Sequence, residues 1–169
     1  MNQYKRLIIA LAVLIGIAGS FILYLSFPLL TGKNVILKTQ PVDPFDLLRG
    51  QYLIINYEIS GADLSAEAKE GDTVYVLLKE SDDKIWHADK VLLNKPNNGV
   101  FIRGTAKQSW RGLGVEYGIE QYFFERDAHI PRMDSVKVKI DGSGQARIVE
   151  LLMNGQPLNI TYKKPSLTS

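Results

Sequence analysis

The sequence predicts a mainly β protein, folded as an antiparallel sandwich or a partly open barrel, that follows one N-terminal transmembrane helix. An uncharged apolar run near the N-terminus predicts the helix, and short β-branched and aromatic runs separated by turn residues predict the strands. No long segment with helical periodicity follows the apolar run. The chain has no cysteine, so burial and hydrogen bonding must hold the β domain together without disulfides.

The apolar run covers residues 7–30, and its 24 residues carry no charge. A helix of about 20 such residues crosses the hydrocarbon core of a bilayer. We therefore predict a cytoplasmic tail at 1–6 and a transmembrane signal anchor at 7–30 that contacts the lipid bilayer. A cleaved signal peptide is the alternative, because residues 18–20 are small. The apolar run continues past them through 21–25, which favours an uncleaved anchor.

The charges on the two sides of the apolar run are nearly balanced, with Lys5 and Arg6 before it and Lys33 and Lys38 after it. A short tail ahead of a single early span is typical of a signal anchor. We therefore expect a single-pass protein of the cytoplasmic membrane, with an extracytoplasmic β domain at residues 34–162. Residues 163–169 have lost the apolar pattern, and we expect a flexible tail there.

The charge balance excludes one class of partner. The whole chain has a formal net charge of +2, and without Lys5 and Arg6 it has 18 basic and 18 acidic residues. The outer domain is thus formally neutral and has no basic stripe. We expect no nucleic-acid partner, since such proteins present a basic surface to the phosphates.

The β domain divides into short predicted strands. They cover residues 34–38, 51–59, 73–79, 85–93, 100–105, 135–140, 146–153 and 156–162. In the strand 135–140, Val136, Val138 and Ile140 alternate with charged or polar residues, so this strand is expected to be half buried. Asn154 and the glycine after it predict a type I′ hairpin. One or two helical turns capped by Ser65 are expected between residues 61 and 71.

The segment 41–50 predicts a stiff corner that leads into the second strand. Two prolines fix the backbone there, and Asp43 and Asp46 are suited to bond nearby amides. Arg49 is placed to pair with one of these carboxylates. Gly50 permits a positive φ or a close backbone approach where the strand begins.

The strand that follows the corner is apolar on parts of both faces. One face has Leu53, Ile55, Tyr57 and Ile59, and the other has Tyr52, Ile54, Asn56 and Glu58. This distribution predicts a central strand.

The residues that could support catalysis are few. His87 and His129 are the only imidazoles and there is no thiol, so a usual zinc site lacks ligands and no cofactor is expected. Satisfied or solvent-exposed histidines are the expectation. Glu120, Glu125 and Asp127 could supply paired carboxylates, which leaves an envelope hydrolase as the alternative function.

Two further motifs fail their tests. Gly112, Gly114 and Gly118 miss the dinucleotide-binding spacing, so tight turns before Tyr117 and Tyr122 are the expectation. An anchor before a β domain is also the plan of type I signal peptidases, which use a serine activated by a lysine. No serine lies between the anchor and residue 50, so at most a relic without the Ser-Lys dyad is compatible with the sequence.

The start of the second strand resembles a known signature. Gly50, Tyr52 and Tyr57 match G-D-Y-x-x-L-x-Y, the motif of the GDYXXLXY family of bacterial membrane-associated proteins, while Gln51 replaces its Asp and Ile55 its Leu. The lead-in 31–50 and the block 117–123 also resemble the family, and the resemblance covers residues 29–155. The change from Asp to Gln puts in doubt any role that needs a carboxylate at position 51.

The resemblance implies a location and a class of function. The family has no established reaction, and its members often accompany or join multi-pass membrane proteins of unknown role, which implies binding of such a partner or a structural role in the cell envelope. Since the sequence also lacks a catalytic constellation, we expect no enzymatic activity. The candidate residues are Asp46, Arg49, Gly50, Tyr52, Ile55, Tyr57, Tyr117, Gly118, Glu120 and Tyr122. The motif then either defines a fold-specific corner and core or presents a binding surface.

Overall fold

The computed structural model describes residues 3–40, 52–64, 67–109, 112–124, 128–129 and 132–162, and these form one N-terminal helix and a mainly β domain. Helix α1 covers Gln3–Thr31. Its stretch Tyr4–Tyr24 is long and apolar enough to span a membrane, and none of it is buried against the rest of the protein. The expected apolar helix is confirmed, while its cleavage and its orientation in a membrane stay predictions.

The described strands are short and follow one another closely. They are β1 (Lys33–Gln40), β2 (Tyr52–Ile54), β3 (Asn56–Tyr57), β4 (Thr73–Glu80), β5 (Ile85–Leu92), β6 (Val100–Ser109), β7 (Gly112–Glu116), β8 (Gln121–Phe123), β9 (Ala128–His129), β10 (Ser135–Ile140), β11 (Ala146–Met153), β12 (Gln156–Pro157) and β13 (Thr161–Tyr162). A 3₁₀ turn at Glu58–Gly61 follows β3.

The main sheet has the order β12-β11-β10-β1-β5-β4-β6-β7, with β3 paired to the end of β1, and it curls into a half-barrel. The predicted mainly β fold with a partly open barrel is thereby confirmed. All pairings of the described strands are antiparallel except that of β1 with β5, where Ile36 lies opposite Ile85. Two small ribbons, β2 with β8 and β9 with β13, lie outside this sheet.

The core lies inside the curl of the sheet. Val35 and Leu37 of β1, Val76 of β4, Ile102 of β6 and Val138 of β10 are completely buried. Period-two alternation places these side chains on one face of each strand, where they pack together. Apolar burial is therefore what holds this cysteine-free domain closed.

The C-terminal meander agrees closely with the predicted strands. β10 and β11 pair antiparallel, and Asn154 and Gly155 take the φ values of 52° and 74° that a type I′ hairpin needs. One detail was wrong: Ser135 was expected on the charged face but is 4% exposed. It is the first residue of β10, where it lies opposite Leu152 of the neighbouring strand, and its hydroxyl donates to Asp134 Oδ1 at 2.7 Å.

The helical turns expected between residues 61 and 71 are absent from the described part of that segment, and Ser65 lies outside the described residues. A local turn takes their place. Lys69 N–H donates to Asp72 Oδ2 at 2.8 Å, and Asp72 N–H donates to Lys69 O at 3.1 Å. An aspartate that bonds nearby backbone in this way competes with helix formation.

Two predicted strands are broken in the structure, and β7 was not predicted as a strand. The strand predicted at 51–59 is broken into β2, β3 and the 3₁₀ turn, and the one predicted at 156–162 into β12 and β13. β7 was predicted as turns, because glycine is a poor strand former. Gly114 lies within β7, whereas Gly112 at its start and Gly118 after it have the positive φ values of turn glycines.

Candidate functional site

The signature strand buries the side chains of one face and exposes those of the other. Ile55, Tyr57 and Ile59 are at most 2% exposed, whereas Ile54 is 45% exposed and Asn56 is exposed. The predicted alternation is confirmed, but the prediction of a central strand was wrong. In the described structure this segment pairs with other strands only briefly, with β8 and with β1, and it is not flanked by a strand on both sides along its length.

Two tyrosines bind the signature strand to the block at 117–123. Tyr57 Oη donates to Ile119 O at 2.7 Å, and Tyr117 Oη donates to Ile59 O at 2.7 Å. A backbone bond, Ile55 N–H to Glu120 O at 2.7 Å, joins the same two segments. We call these three reciprocal bonds the tyrosine clasp; its two side-chain bonds join residues 62 and 58 positions apart.

The clasp keeps both hydroxyls protonated. Burial raises the pKa of Tyr57 and of Tyr117 above the usual value of a tyrosine, and the nearby Glu120 carboxylate raises both further. A buried hydroxyl that already donates to a carbonyl has neither the charge nor the free proton of a catalytic base or acid. The two tyrosines therefore act as structural donors.

The other residues of the second block shape the loop that presents the clasp. Gly118 has φ +77°, with open space where a Cβ would stand. Tyr117 N–H donates to Glu120 Oε1 at 2.5 Å, which closes the turn. Tyr122 is half buried against the core, opposite Leu53 in the β2–β8 ribbon.

The structure thus brings together six of the ten candidate residues: Ile55, Tyr57, Tyr117, Gly118, Glu120 and Tyr122. A seventh, Tyr52, pairs through its backbone with Phe123. The remaining candidates Asp46, Arg49 and Gly50 lie outside the described residues, as do Gln51, Glu125 and Asp127. The corner predicted at 41–50 therefore stays a prediction.

A groove of about 960 Å³ lies beside the clasp. Its lining comes from the end of β1, the clasp, the segment after the 3₁₀ turn and the β6–β7 hairpin, and it includes Gln40, Asn56, Tyr57, Ser60, Asp63, Leu64, Lys107, Gln108, Leu113, Val115, Glu116 and Glu120. β1 begins at Lys33, directly after helix α1, and it meets the groove at Gln40. The groove is therefore at the end of β1 that is remote from the helix.

The groove has an acidic character. Among its described lining residues, Asp63, Glu116 and Glu120 are acidic and Lys107 is basic. Lys107 Nζ lies 2.7 Å from Glu116 Oε2, and this bond raises the pKa of the lysine. Asp63 and Glu120 form no ion pair of their own with a lysine or arginine among the described residues, and the Glu120 charge also raises the pKa of Lys107.

Sequence reasoning missed the groove, because its walls come from distant parts of the chain. One local signal was present: Leu113 and Val115 alternate with Gly112, Gly114 and Glu116 at the period of a strand. Taking the glycines as turn residues concealed that pattern.

The described histidine is satisfied by a partner. His87 Nδ1 lies 2.8 Å from Glu58 Oε1, and Lys38 Nζ lies 3.7 Å from the other oxygen of Glu58. The side chain of His129 is outside what the structure describes. Within the described residues, no three or more histidine, aspartate or glutamate side chains are grouped so that they could hold a metal ion.

Comparison with known protein families gives a match that covers most of the chain. The sequence model of a family described as GDYXXLXY protein matches residues 14–151, which includes the signature strand, the clasp and the groove. No curated protein and no solved structure matches the chain.

Proposed function

Because this chain belongs to the GDYXXLXY family, we propose that it is a single-pass protein of the bacterial cytoplasmic membrane whose extracytoplasmic β domain binds another membrane protein. In this proposal it catalyses no reaction. The observation on which the proposal rests is the groove of about 960 Å³, because the family's own motif tyrosine, Tyr57, forms part of its wall.

The connection between helix and domain supports an anchored binding role. α1 ends at Thr31 and β1 begins at Lys33, so a single residue separates them. The groove begins at Gln40, about 23 Å along β1 from Lys33, since each of the seven residue steps between them advances roughly 3.3 Å. This position suits the outer loop of a neighbouring membrane protein better than it suits lipid.

Sharing one membrane also favours such a partner on general grounds. Two anchored proteins meet at a high effective concentration, so a groove of modest intrinsic affinity is sufficient. A multi-pass protein offers loops beside the bilayer that could reach the groove.

Several polar groups of the groove and the clasp already make hydrogen bonds within the fold, which favours binding over catalysis. Glu120 Oε1 accepts the Tyr117 N–H, and the Glu116 carboxylate is bound by Lys107. Both clasp hydroxyls donate to carbonyls. Of the carboxylates that the hydrolase alternative uses, Glu120 already accepts a hydrogen bond within the fold, and Glu125 and Asp127 lie outside the described residues.

Crosslinking in living cells tests the proposal. A photo-reactive amino acid at Leu64 or at Gln108, both of which line the groove, should give a covalent adduct with one membrane protein. The same amino acid at Val149, which is 45% exposed on β11 and does not line the groove, is the matched control. Absence of an adduct at both groove positions contradicts the proposal. Turnover of an envelope substrate by the purified chain, abolished by Glu120→Gln, would establish the hydrolase instead.

Protease access tests the orientation. In spheroplasts with an intact inner membrane, added protease should digest the β domain. Digestion that requires the membrane to be broken first would place the domain inside the cell. An N-terminus that begins near residue 21 would show that the helix is cleaved.

A further inference from the structure

β7 ends the main sheet, and one of its two backbone edges has no strand beside it in the described structure. The hydrogen bonds of β6 identify which groups of β7 face outward. Ala106 N–H donates to Asp72 O and Ala106 O accepts from Gly71 N–H, both on the β4 side of β6. In an antiparallel ladder, neighbouring residues of a strand bond to opposite sides. Lys107, the next residue of β6, therefore bonds toward β7.

The partner of Lys107 on β7 is Gly114. Gly114 thus uses its N–H and C=O inside the sheet, and the N–H and C=O groups of Leu113 and Val115 point to the outer edge. The next outward amide, that of Tyr117, already donates to Glu120, which agrees with this alternation. Among the described residues, no hydrogen-bond partner is found for the outward groups of Leu113 and Val115.

The residues of this open edge, Leu113 and Val115, line the groove. Gly114 and Ser60 both line the groove, and a Cβ on Gly114 would come within 3.0 Å of Ser60 O. The 3₁₀ turn at Glu58–Gly61 therefore lies beside β7. Glycine within a strand often marks such a close approach of a second backbone.

Resting on the partner-binding function proposed above, we propose that the β7 edge accepts an extended basic peptide segment of the partner as an added strand. Such a segment repeats its N–H and C=O groups about every 6.8 Å on one side, which matches two outward-facing residues of an antiparallel strand. Strand addition of this kind uses main-chain bonds for affinity and side-chain contacts for specificity.

The charge of the groove selects the side chains of that segment. Among the described lining residues, the three carboxylates of Asp63, Glu116 and Glu120 face one lysine that is already bound to Glu116. A segment with lysine or arginine beside β-branched residues complements this lining, and an acidic one is repelled. β7 has five residues, so the added strand contacts it over about five residues.

Two variants at one position separate the backbone edge from its side chain. Leu113→Pro removes the outward N–H and leaves the bonds between Gly114 and Lys107 in place, because proline is tolerated at an edge where its nitrogen faces away from the sheet. Leu113→Ala removes the side chain and keeps the N–H. Asp63→Asn removes one groove charge and changes no backbone bond.

The test uses the full chain in nanodiscs and a random seven-residue peptide library displayed on phage. Selected peptides should be rich in lysine or arginine. The most enriched one, made synthetically, should bind at least tenfold more weakly to Leu113→Pro, and within about threefold of wild type to Leu113→Ala. Its binding to Asp63→Asn should fall several-fold. A backbone N-methylated copy of the peptide should not bind.

A second measurement needs no variant. Adding the peptide to the wild-type chain should slow hydrogen exchange of the Leu113 and Val115 amides at least tenfold. Failure of the library to enrich any peptide, unchanged exchange of these amides, or equal binding of acidic peptides overturns the strand-addition proposal. If the groove crosslinks persist in that event, the partner-binding function stands and only its mode is wrong. If the peptide results fail and the groove crosslinks are also absent, both proposals are wrong.

Discussion

The C-terminal meander and the tyrosine clasp stabilise buried strands in different ways. β10 and β11 pair over six positions and are joined by a short connection, so the backbone N–H and C=O groups of each strand bond to those of the other. β2 and β3 have three and two residues, and their neighbourhood is held by hydroxyl-to-carbonyl bonds across 62 and 58 residues. The meander depends on local pairing, whereas the clasp depends on two individual side chains.

This difference indicates how the family motif contributes to the stability of the fold. A ladder distributes its stability over many equivalent bonds, so no single side chain is indispensable. In the clasp the stability depends on two side chains, because Tyr57 donates to a carbonyl of the 117–123 block and Tyr117 donates to a carbonyl of the signature strand. Substitutions in the two regions should therefore differ in size, and the following predictions are ordered from the largest expected effect to the smallest.

Alkaline pH should break the clasp before it affects the ladder. Burial holds the pKa of Tyr57 and Tyr117 above the value of about 10 that each has in the unfolded chain. Above pH 10 the unfolded chain loses protons that the folded chain keeps, so the free energy of unfolding falls. The slope is about 1.4 kcal/mol per pH unit for each tyrosine, and the stability is fully present below pH 10. Urea unfolding of the full chain in detergent between pH 8 and pH 12 measures it.

The control for this experiment is the double variant Tyr57→Phe/Tyr117→Phe, which lacks both titrating hydroxyls. Its free energy of unfolding should depend less steeply on pH above 10 than that of the wild type. Equal slopes in the two proteins would show that other groups cause the alkaline loss.

Removing one hydroxyl at a time should reveal an asymmetry within the clasp. Tyr57→Phe leaves Ile119 O without a hydrogen bond from the described residues, and this should cost about 1–3 kcal/mol. Tyr117→Phe should cost less, about 0.5–1.5 kcal/mol, because Ile59 O still accepts the Ala62 N–H at 3.2 Å. Unfolding at pH 7 compares the two. A larger loss for Tyr117→Phe would contradict this assignment of the bonds.

Two glycines allow a matched comparison of the regions. Gly118 in the clasp loop has φ +77°, Gly155 in the meander hairpin has φ +74°, and neither has an atom near the position of a Cβ. Replacement by alanine should cost each about 1–2 kcal/mol through the left-handed backbone alone. Melting curves of the two variants measure it. A clearly larger loss at Gly118 would mean that the clasp makes its loop more rigid than a hairpin turn.

Surface ion pairs should distinguish the regions least. Lys137 Nζ lies 3.1 Å from Glu150 Oε2 across the meander, and Lys137→Met should change the free energy of unfolding by less than about 0.5 kcal/mol. Lys107→Met, in the groove, should shift the melting temperature no more than Lys137→Met does. A large loss at Lys107 would show that its bond to Glu116 supports the fold as well as lining the groove.

The sequence alone determined the features whose physical cause is local. Residues 7–30 form an apolar helix because length and uncharged composition are properties of the segment itself. Val136 and Val138 alternate into the core, and Asn154 and Gly155 turn the hairpin, because side-chain period and φ preference act between neighbours. The burial of Ile55 and Tyr57 followed from the same alternation.

Only the tertiary structure decided which distant groups meet. No periodicity indicates that the Tyr57 hydroxyl reaches Ile119 O, that β1 lies parallel to β5, or that the outer edge of β7 stays open inside an acidic groove. These contacts are chosen by how the whole sheet curls and by which buried polar groups need a partner there. Local propensity also misplaced Gly114, because the close approach of Ser60, distant in sequence, favours a residue without a side chain at that position in β7.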